Sequence, residues 1–329
     1  MPLLTLTQAE DLVIDTLTRC RTARGNACSV ARALVAAEAE GLKGHGLSRV
    51  PTYAAQAKVG KVDGFAKPTL DWPRPGVAAI DAHNGFAYPA LEAAVAALPD
   101  ATRQNGIAAA AIRRSHHCGA AGHPVERLAE AGLVGLMFAN TPSAIAPWGS
   151  AKGVFGTNPI AFACPLPKQA PIVVDLSLSK VARGNILAAK QRGEPIPAGW
   201  ALDAQGRPTT DPAAALAGTM LPLGDAKGTA LALMVELLAA GLSGANFAAD
   251  ASSFLDAEGP PPGTGQLLIA LDPSAFGSGR LEHFAALAAQ ITNQPGARLP
   301  GARRLAARQK AERDGVTISE ALMAEIAAA

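Results

Sequence analysis

Five short apolar runs constrain this 329-residue chain more than any other feature. They are IAAAAIRRS (107–115), GLVGLMFANT (132–141), IAFACP (160–165), PIVVDLS (171–177) and GQLLIALDP (265–273), each punctuated by Gly, Pro, Asn or Asp. Continuous apolar runs of this length predict strands buried on both faces. Another short strand is expected within VAAIDAHNGFAY (77–88). Helical patterns lie between them: PALEAAVAALPDATRQNG up to Gly106, AGHPVERLAEAG, and SKVARGNILAAKQRG. KGTALALMVELLAAGL (227–242) reads as the most buried helix of the chain, and 193–218 as a Pro/Gly-rich surface excursion.

Both ends read as helical. Thr7 is the expected N-cap of QAEDLVIDTLTRC, and Asn26 or Ser29 that of SVARALVAAEAEGLKG, which should stop at Gly44. A third helix is expected over 51–59 with Pro51 at its start. After residue 281, HFAALAAQITNQ and TISEALMAEIAAA, the latter capped by Thr317 or Ser319, return to helix.

Composition narrows the function classes. A net charge of +2 and 4% aromatic residues offer neither a concentrated basic face nor a base-stacking platform, so no nucleic-acid partner is expected. Four cysteines without a CxxC pair fit idle thiols in a reducing cytoplasm. The N-terminus lacks the pattern of a signal peptide. The apolar stretch 229–242 is interrupted by Glu236 and is too short to span a bilayer, so no membrane partner is expected either.

The dinucleotide fingerprint GxGxxG does not occur, which argues against an ordinary Rossmann domain but not against nucleotide binding. Two other segments suit phosphates. In LPLGDAKGTALALMVEL, Gly224 and Gly228 bracket Lys227 before a long helix, whose first N–H groups can bind an anion. In VDLSLSKVARGN, Ser177 and Ser179 follow a strand and precede Lys180 and Arg183; a helix capped by Ser177 is the competing reading. His45 and Arg49 lie in KGHGLSR, on an expected irregular turn. A guanidinium there can grip a carboxylate with two parallel hydrogen bonds, and an imidazole can pass a proton. His116 and His117 follow a strand end in RRSHHCGAAGH; adjacent residues point apart and no carboxylate cluster accompanies them, so no metal site is expected.

Six blocks, taken in order, resemble the malate/L-lactate dehydrogenase family that is distinct from the Rossmann lactate dehydrogenases. They are GHGLSRVPTY, RRSHHCGAAGH, APWGSAKGVFGTNPIAFACP, VDLSLSKVARG, LPLGDAKGTALALMVELLAAGLSG and GQLLIALDP. The family includes sulfolactate, ureidoglycolate and diketogulonate dehydrogenases and the Δ1-piperideine-2-carboxylate/Δ1-pyrroline-2-carboxylate reductases. The resemblance implies an α/β fold with a largely antiparallel nucleotide-binding sheet. It also implies a helical dimerisation and substrate region (1–75 with 281–329) around an NAD(P)-binding and catalytic region (76–280), and a homodimer with its site near the subunit interface.

By the same resemblance, His45 and His117 are catalytic candidates, and Arg49 binds the substrate carboxylate with Ser48 and Thr157 nearby. His117, Asn158, Asp175, Leu176, Ser177, Leu178, Ser179, Lys227 and Gly228 match cofactor-contacting positions for NADPH or NADH. Three residues depart from the pattern: Gly44 stands where the family has Ser, Cys118 replaces an aromatic residue, and Asn185 replaces Asp or Lys. With Gly44, Ser48 or water is left to orient His45. The implied activity is reduction of C=N or C=O beside a carboxylate. The wording of the last two blocks leans toward the cyclic imines, with a 2-hydroxy-acid dehydrogenase of sulfolactate, malate or lactate type, or a non-catalytic nucleotide-binding homologue, as alternatives.

Overall fold

A computed structural model of the chain describes residues 2–329. The chain starts with β1 (Leu3–Leu4), α1 (Leu6–Arg19), α2 (Arg24–Ala39) and α3 (Val50–Val59). Thr5, not Thr7, caps α1, exchanging hydrogen bonds with Gln8. A capping box satisfies two otherwise orphaned amides. Nor do Asn26 or Ser29 open α2: it begins at Arg24, and the Asn26 amide instead donates to the Gly64 and Ala66 carbonyls. α2 ends at Ala39 rather than Gly44, because Gly41 takes a left-handed conformation (φ 78°) and turns the chain.

Strands β2 (Thr69–Arg74) and β3 (Val77–Asp81), helix α4 (Ala87–Asn105), β4 (Ile107–Ser115), α5 (Gly122–Glu130), β5 (Val134–Ala139), β6 (Ile160–Leu166) and β7 (Gln169–Leu176) follow. Next come α6 (Arg183–Arg192), β8 (Ala201–Leu202), β9 (Pro208–Thr209), α7 (Pro212–Ala217), β10 (Thr219–Met220), α8 (Ala226–Glu236) and β11 (Thr264–Leu271). The chain closes with α9 (Arg280–Thr292), α10 (Ala302–Asp314), β12 (Val316–Thr317) and α11 (Glu320–Ala328), the last capped by Ser319.

All five apolar runs are strands of one seven-stranded sheet in the order β2-β3-β4-β11-β5-β6-β7. Every neighbouring pair is antiparallel except β3 with β4. Side chains alternate across the pleat. Ala108, Ala110, Ile112, Leu268 and Ala270 face α4 and α5, whereas Ala109, Ala111, Leu267 and Ile269 face α8. The alanines of β4 let helices approach both faces closely.

A second core joins the chain ends: α1, α2 and α3 pack with Ala311, Val316, Ile318 and Ile326, and β1 pairs with β12. The 193–218 segment is more ordered than a surface excursion. It forms α7 and a three-stranded sheet, β10-β8-β9, closed over Ile186, Ile196, Ala201 and Met220. α6 starts at Arg183 with Ala182 as its N-cap, so Ser177 caps no helix. Nor is the 227–242 helix the most buried. α8 and the π-turn after it bury Ala232, Val235, Ala239 and Ala240, while Leu233, Leu237 and Leu242 remain 47–68% exposed. No helix among the described residues is long and apolar enough to cross a membrane.

Candidate active site

After Gly41 the chain makes two successive 3₁₀ turns, Lys43–His45 and Leu47–Arg49. Buried Glu38 builds this corner. It accepts from the Leu47 amide at 3.0 Å and pairs with Lys43 at 2.7 Å. A Cβ on Gly46 would lie 2.3 Å from the same carboxylate, so any side chain there would push Glu38 off the Leu47 amide. The corner sets His45 and Arg49 on one short segment. Arg49 Nε donates to the Gly44 carbonyl at 2.7 Å, and its two terminal amines have no protein acceptor among the described residues. Ser48 does not orient His45: its hydroxyl donates to the Lys43 carbonyl at 2.6 Å. His45 Nδ1 is buried without a partner.

β4 delivers His116 and His117 to the same place. The His45 and His117 rings stack 5.2 Å apart at 12°. His117 Nδ1 lies 2.6 Å from the Tyr53 hydroxyl, which lies 3.1 Å from the Tyr88 hydroxyl. α3 and α4 supply these phenols, which sequence reasoning missed; an aromatic residue on a buried helix face reads as ordinary core. Burial, reinforced by the Arg49 charge, holds His45 down to about 4 and His117 well below the usual imidazole range. Burial, Lys61 and Arg49 hold His116 down to about 3. Burial pushes Tyr53 up to about 12 and Tyr88 well above its ordinary value. The cluster is therefore uncharged at neutral pH apart from Arg49, and a chain of neutral donors and acceptors runs from His117 through Tyr53 to Tyr88.

The two candidate nucleotide segments are brought together. Leu223 N donates to Leu178 O at 2.8 Å, Lys180 N to Leu221 O at 2.7 Å, and Ser179 bridges Pro222. The start of α8 fits a pyrophosphate. No side chain caps it, Lys227 is exposed without an ion partner among the described residues, and Thr229 Oγ1 is buried and unpaired. Gly228 serves packing, since a Cβ there would lie 1.9 Å from the Leu223 carbonyl. The other segment is largely engaged by the protein. Asp175 Oδ2 accepts the Gly122 amide at the start of α5, and the Ser177 and Ser179 hydroxyls lie 2.6 Å apart, with Ser179 donating to Val181 O. Leu178 is a core residue and Leu176 is exposed.

The Thr157 amide donates to Thr141 Oγ1 at 2.9 Å, and the two hydroxyls lie 3.2 Å apart. Asn158 is fully buried and donates to Ala232 O and to Glu236. Glu236 also accepts from Asn140 Nδ2 and the Ala248 amide. The residue that merely interrupts an apolar run in the sequence thus ties four segments together. Arg113 and Arg114, at the end of β4, are both engaged by Asp81. Asn185 is exposed in the first turn of α6. Cys118 is buried, and burial pushes its thiol up to about 12. Its wall, with Tyr88, borders a cavity of about 650 Å³ between α2, α4 and α5 that contains none of the sequence-predicted site residues. Beside that cavity, Glu40 pairs with His123, Arg304 and Arg308, and Glu126 with both arginines. Among the described residues, no group of three or more His, Cys, Asp or Glu side chains could hold a metal ion.

Comparison with known proteins adds to this geometry. A sequence model of the malate/L-lactate dehydrogenase family matches residues 4–327. The chain is 50% identical over 326 residues to a (2R)-3-sulfolactate dehydrogenase (NADP(+)) of Chromohalobacter salexigens, covering 99% of this chain and 97% of that protein. It is 44% identical over 331 residues to a Δ1-pyrroline-2-carboxylate/Δ1-piperideine-2-carboxylate reductase of Pseudomonas aeruginosa, covering 99% and 98%. The crystal structure of Δ1-piperideine-2-carboxylate reductase from Pseudomonas syringae superposes with a TM-score of 0.94 at 38% identity, covering 99% of each chain.

Proposed function

The chain belongs to the malate/L-lactate dehydrogenase family, a family of NAD(P)-dependent dehydrogenases and reductases, and from that premise we propose that it reduces the C=N bond of a cyclic 2-imino acid, Δ1-pyrroline-2-carboxylate or Δ1-piperideine-2-carboxylate, with NADPH. One observation carries this reading. Arg49 offers two unengaged amines beside three histidines that are all held neutral. The guanidinium suits the substrate carboxylate. A cyclic imine can enter already protonated on nitrogen, so the site needs no imidazolium to complete the reaction. The reduced nicotinamide, when bound, supplies the hydride to C2. The C=N electron pair then settles on nitrogen as a neutral amine. His45 and His117 line the place of reaction, and the uncapped α8 start with Lys227 would hold the cofactor pyrophosphate. NADPH is preferred to NADH in this reading because the 50% identical relative is named for NADP(+).

That same relative favours a second reading, reduction of a 2-oxo acid bearing a sulfonate. There, the oxygen at C2 needs a proton, which the His117–Tyr53–Tyr88 chain can relay. The sulfonate needs a second cation. Arg113 and Arg114 are engaged by Asp81, which leaves exposed Lys180. The assembled protein is taken as a homodimer with its site near the subunit interface. NADPH and NADH consumption is measured with pyrroline-2-carboxylate, piperideine-2-carboxylate, sulfopyruvate, oxaloacetate and pyruvate. The cyclic imines are expected to give the highest kcat/KM. Preference for sulfopyruvate replaces the first reading with the second, and cofactor binding without any turnover leaves a non-catalytic homologue.

A further inference from the structure

The loop between Asn246 and Gly263 reaches over the paired histidines. Phe254, on this loop, is 7% exposed, with its ring centroid 5.3 Å from that of His116 and 5.2 Å from that of His117. Both ends of the loop are fixed. The Ala248 amide donates to Glu236, and the Asn246 amide and side chain bind Gly263 O and Pro262 O. Three successive prolines, Pro260 to Pro262, stiffen the return path. Beyond Phe254, the loop is clasped from α3 and its C-terminal turn. Gln56 donates to Asp256 O at 2.7 Å, and Lys61 Nζ binds Asp256 Oδ1 at 3.0 Å together with the Asp256 and Glu258 carbonyls. The Lys61 side chain is wholly buried while Asp256 is 46% exposed. Burying an ammonium is costly unless it is fully hydrogen-bonded, and here every bond it makes goes to this loop. α3 thus holds His117 through Tyr53 and the loop through Gln56, one turn further on.

We propose that Phe254 is the specificity-determining wall of the reduction, limiting the room over His117 for the substrate's carbon skeleton, and that Lys61 is the positioning residue that keeps it there. The inference rests on the reduction of a small carboxylate proposed above. Its chemistry favours a flat, ring-shaped substrate bearing positive charge, because the face of a phenyl ring attracts a cation and packs against a planar skeleton.

The test compares wild-type protein, F254A, F254L, K61M and the double variant F254A/K61M. Each is assayed with NADPH and both pyrroline-2-carboxylate and the one-methylene-larger piperideine-2-carboxylate, with pyruvate and sulfopyruvate as open-chain controls. F254A should shift the kcat/KM ratio toward the larger ring by about tenfold, mainly through KM. F254L keeps an apolar side chain of similar bulk and should retain the size preference but lose affinity for the cyclic imines relative to pyruvate. K61M should shift the ratio in the same direction as F254A, and the double variant should shift it no further than F254A alone. A lesion that only loosens the fold would lower all substrates alike and add to the effect of F254A. Active wild-type protein whose substrate ratios are unmoved in F254A and F254L overturns this inference alone. Wild-type protein that turns over none of the substrates overturns the inference together with the function on which it rests.

Discussion

His116 has both ring nitrogens buried without a partner, enclosed by Tyr53, Phe86 and Phe254. It is cheap to keep only while neutral. Between its depressed value of about 3 and the ordinary 6.5, the unfolded chain binds a proton that the folded chain does not. Stability from this source is therefore complete above pH 6.5 and is lost as pH falls, through about 4 for His45 and about 3 for His116. At pH 5 the loss attributable to His116 is about 2 kcal/mol. Thermal denaturation should show Tm falling from pH 7 to pH 5, with a shallower fall in a His116→Phe variant; equal slopes would refute the account. Arg49 carries the other residue-scale expectation. Arg49→Ala removes a charge-assisted pair worth about 2–3 kcal/mol, so kcat/KM for a carboxylate substrate should drop about 30- to 150-fold. The corresponding amide substrate should lose far less. Unchanged kcat/KM for the carboxylate would place its binding site elsewhere.

Among the elements, the five strands were legible as unbroken apolar letters between breakers, but two-sided burial explains only the inner ones: edge strand β7 buries Val173 alone, so the expectation of burial on both faces fails there. α10 was not. ARRLAARQKAERD buries only Ala311, so it carries no apolar stripe, and its hold on the fold is ionic. Arg304 and Arg308 reach Glu40 and Glu126, and no local spacing announces partners so far away in sequence. Glu236 was hidden in the same way, its donors coming from Asn140, Asn158 and Ala248. The corner holding His45 and Arg49 was visible through its glycines, but Glu38, which shapes it, lies in a helix where a glutamate is unremarked. The ionic cluster gives a direct test. The Glu40 side chain is fully buried, and removing it leaves His123 unpaired and the two arginines with Glu126 alone. Glu40→Ala should destabilise by about 3 kcal/mol in urea unfolding, and Glu40→Gln by less. A loss under about 0.5 kcal/mol, typical of an exposed pair, would show the cluster to be solvated.

For the molecule as a whole, the apolar letters of 227–242 mislead because they are buried on one side only. Ala232, Val235, Ala239 and, in part, Leu238 meet the sheet, whereas the other leucines of the segment are exposed. Leu231, Leu233, Met234, Leu237 and Leu242 all expose more than a third of their surface, and Leu223 and Phe247 add to the same region of chain. A single exposed leucine means little, but a helix and its flanks presenting several is the signature of a covered surface. The family resemblance implies a homodimer but gives the dimerisation role to 1–75 with 281–329, so a second copy covering this face is an alternative to that assignment. This face also begins at Lys227 and ends at the base of the loop carrying Phe254, so assembly and site geometry should be linked. Sedimentation of the 33.3 kDa chain should give twice that mass. A double variant, Leu237→Glu with Leu242→Glu, introduces charges where a partner would bury them and should shift the protein toward monomer. Both positions are exposed in the single chain, so the variant should keep its secondary structure. Its kcat/KM should fall with the dimer fraction and recover at high protein concentration. A dimer that persists in the variant assigns the interface to another face, and a monomer with full activity separates assembly from the site.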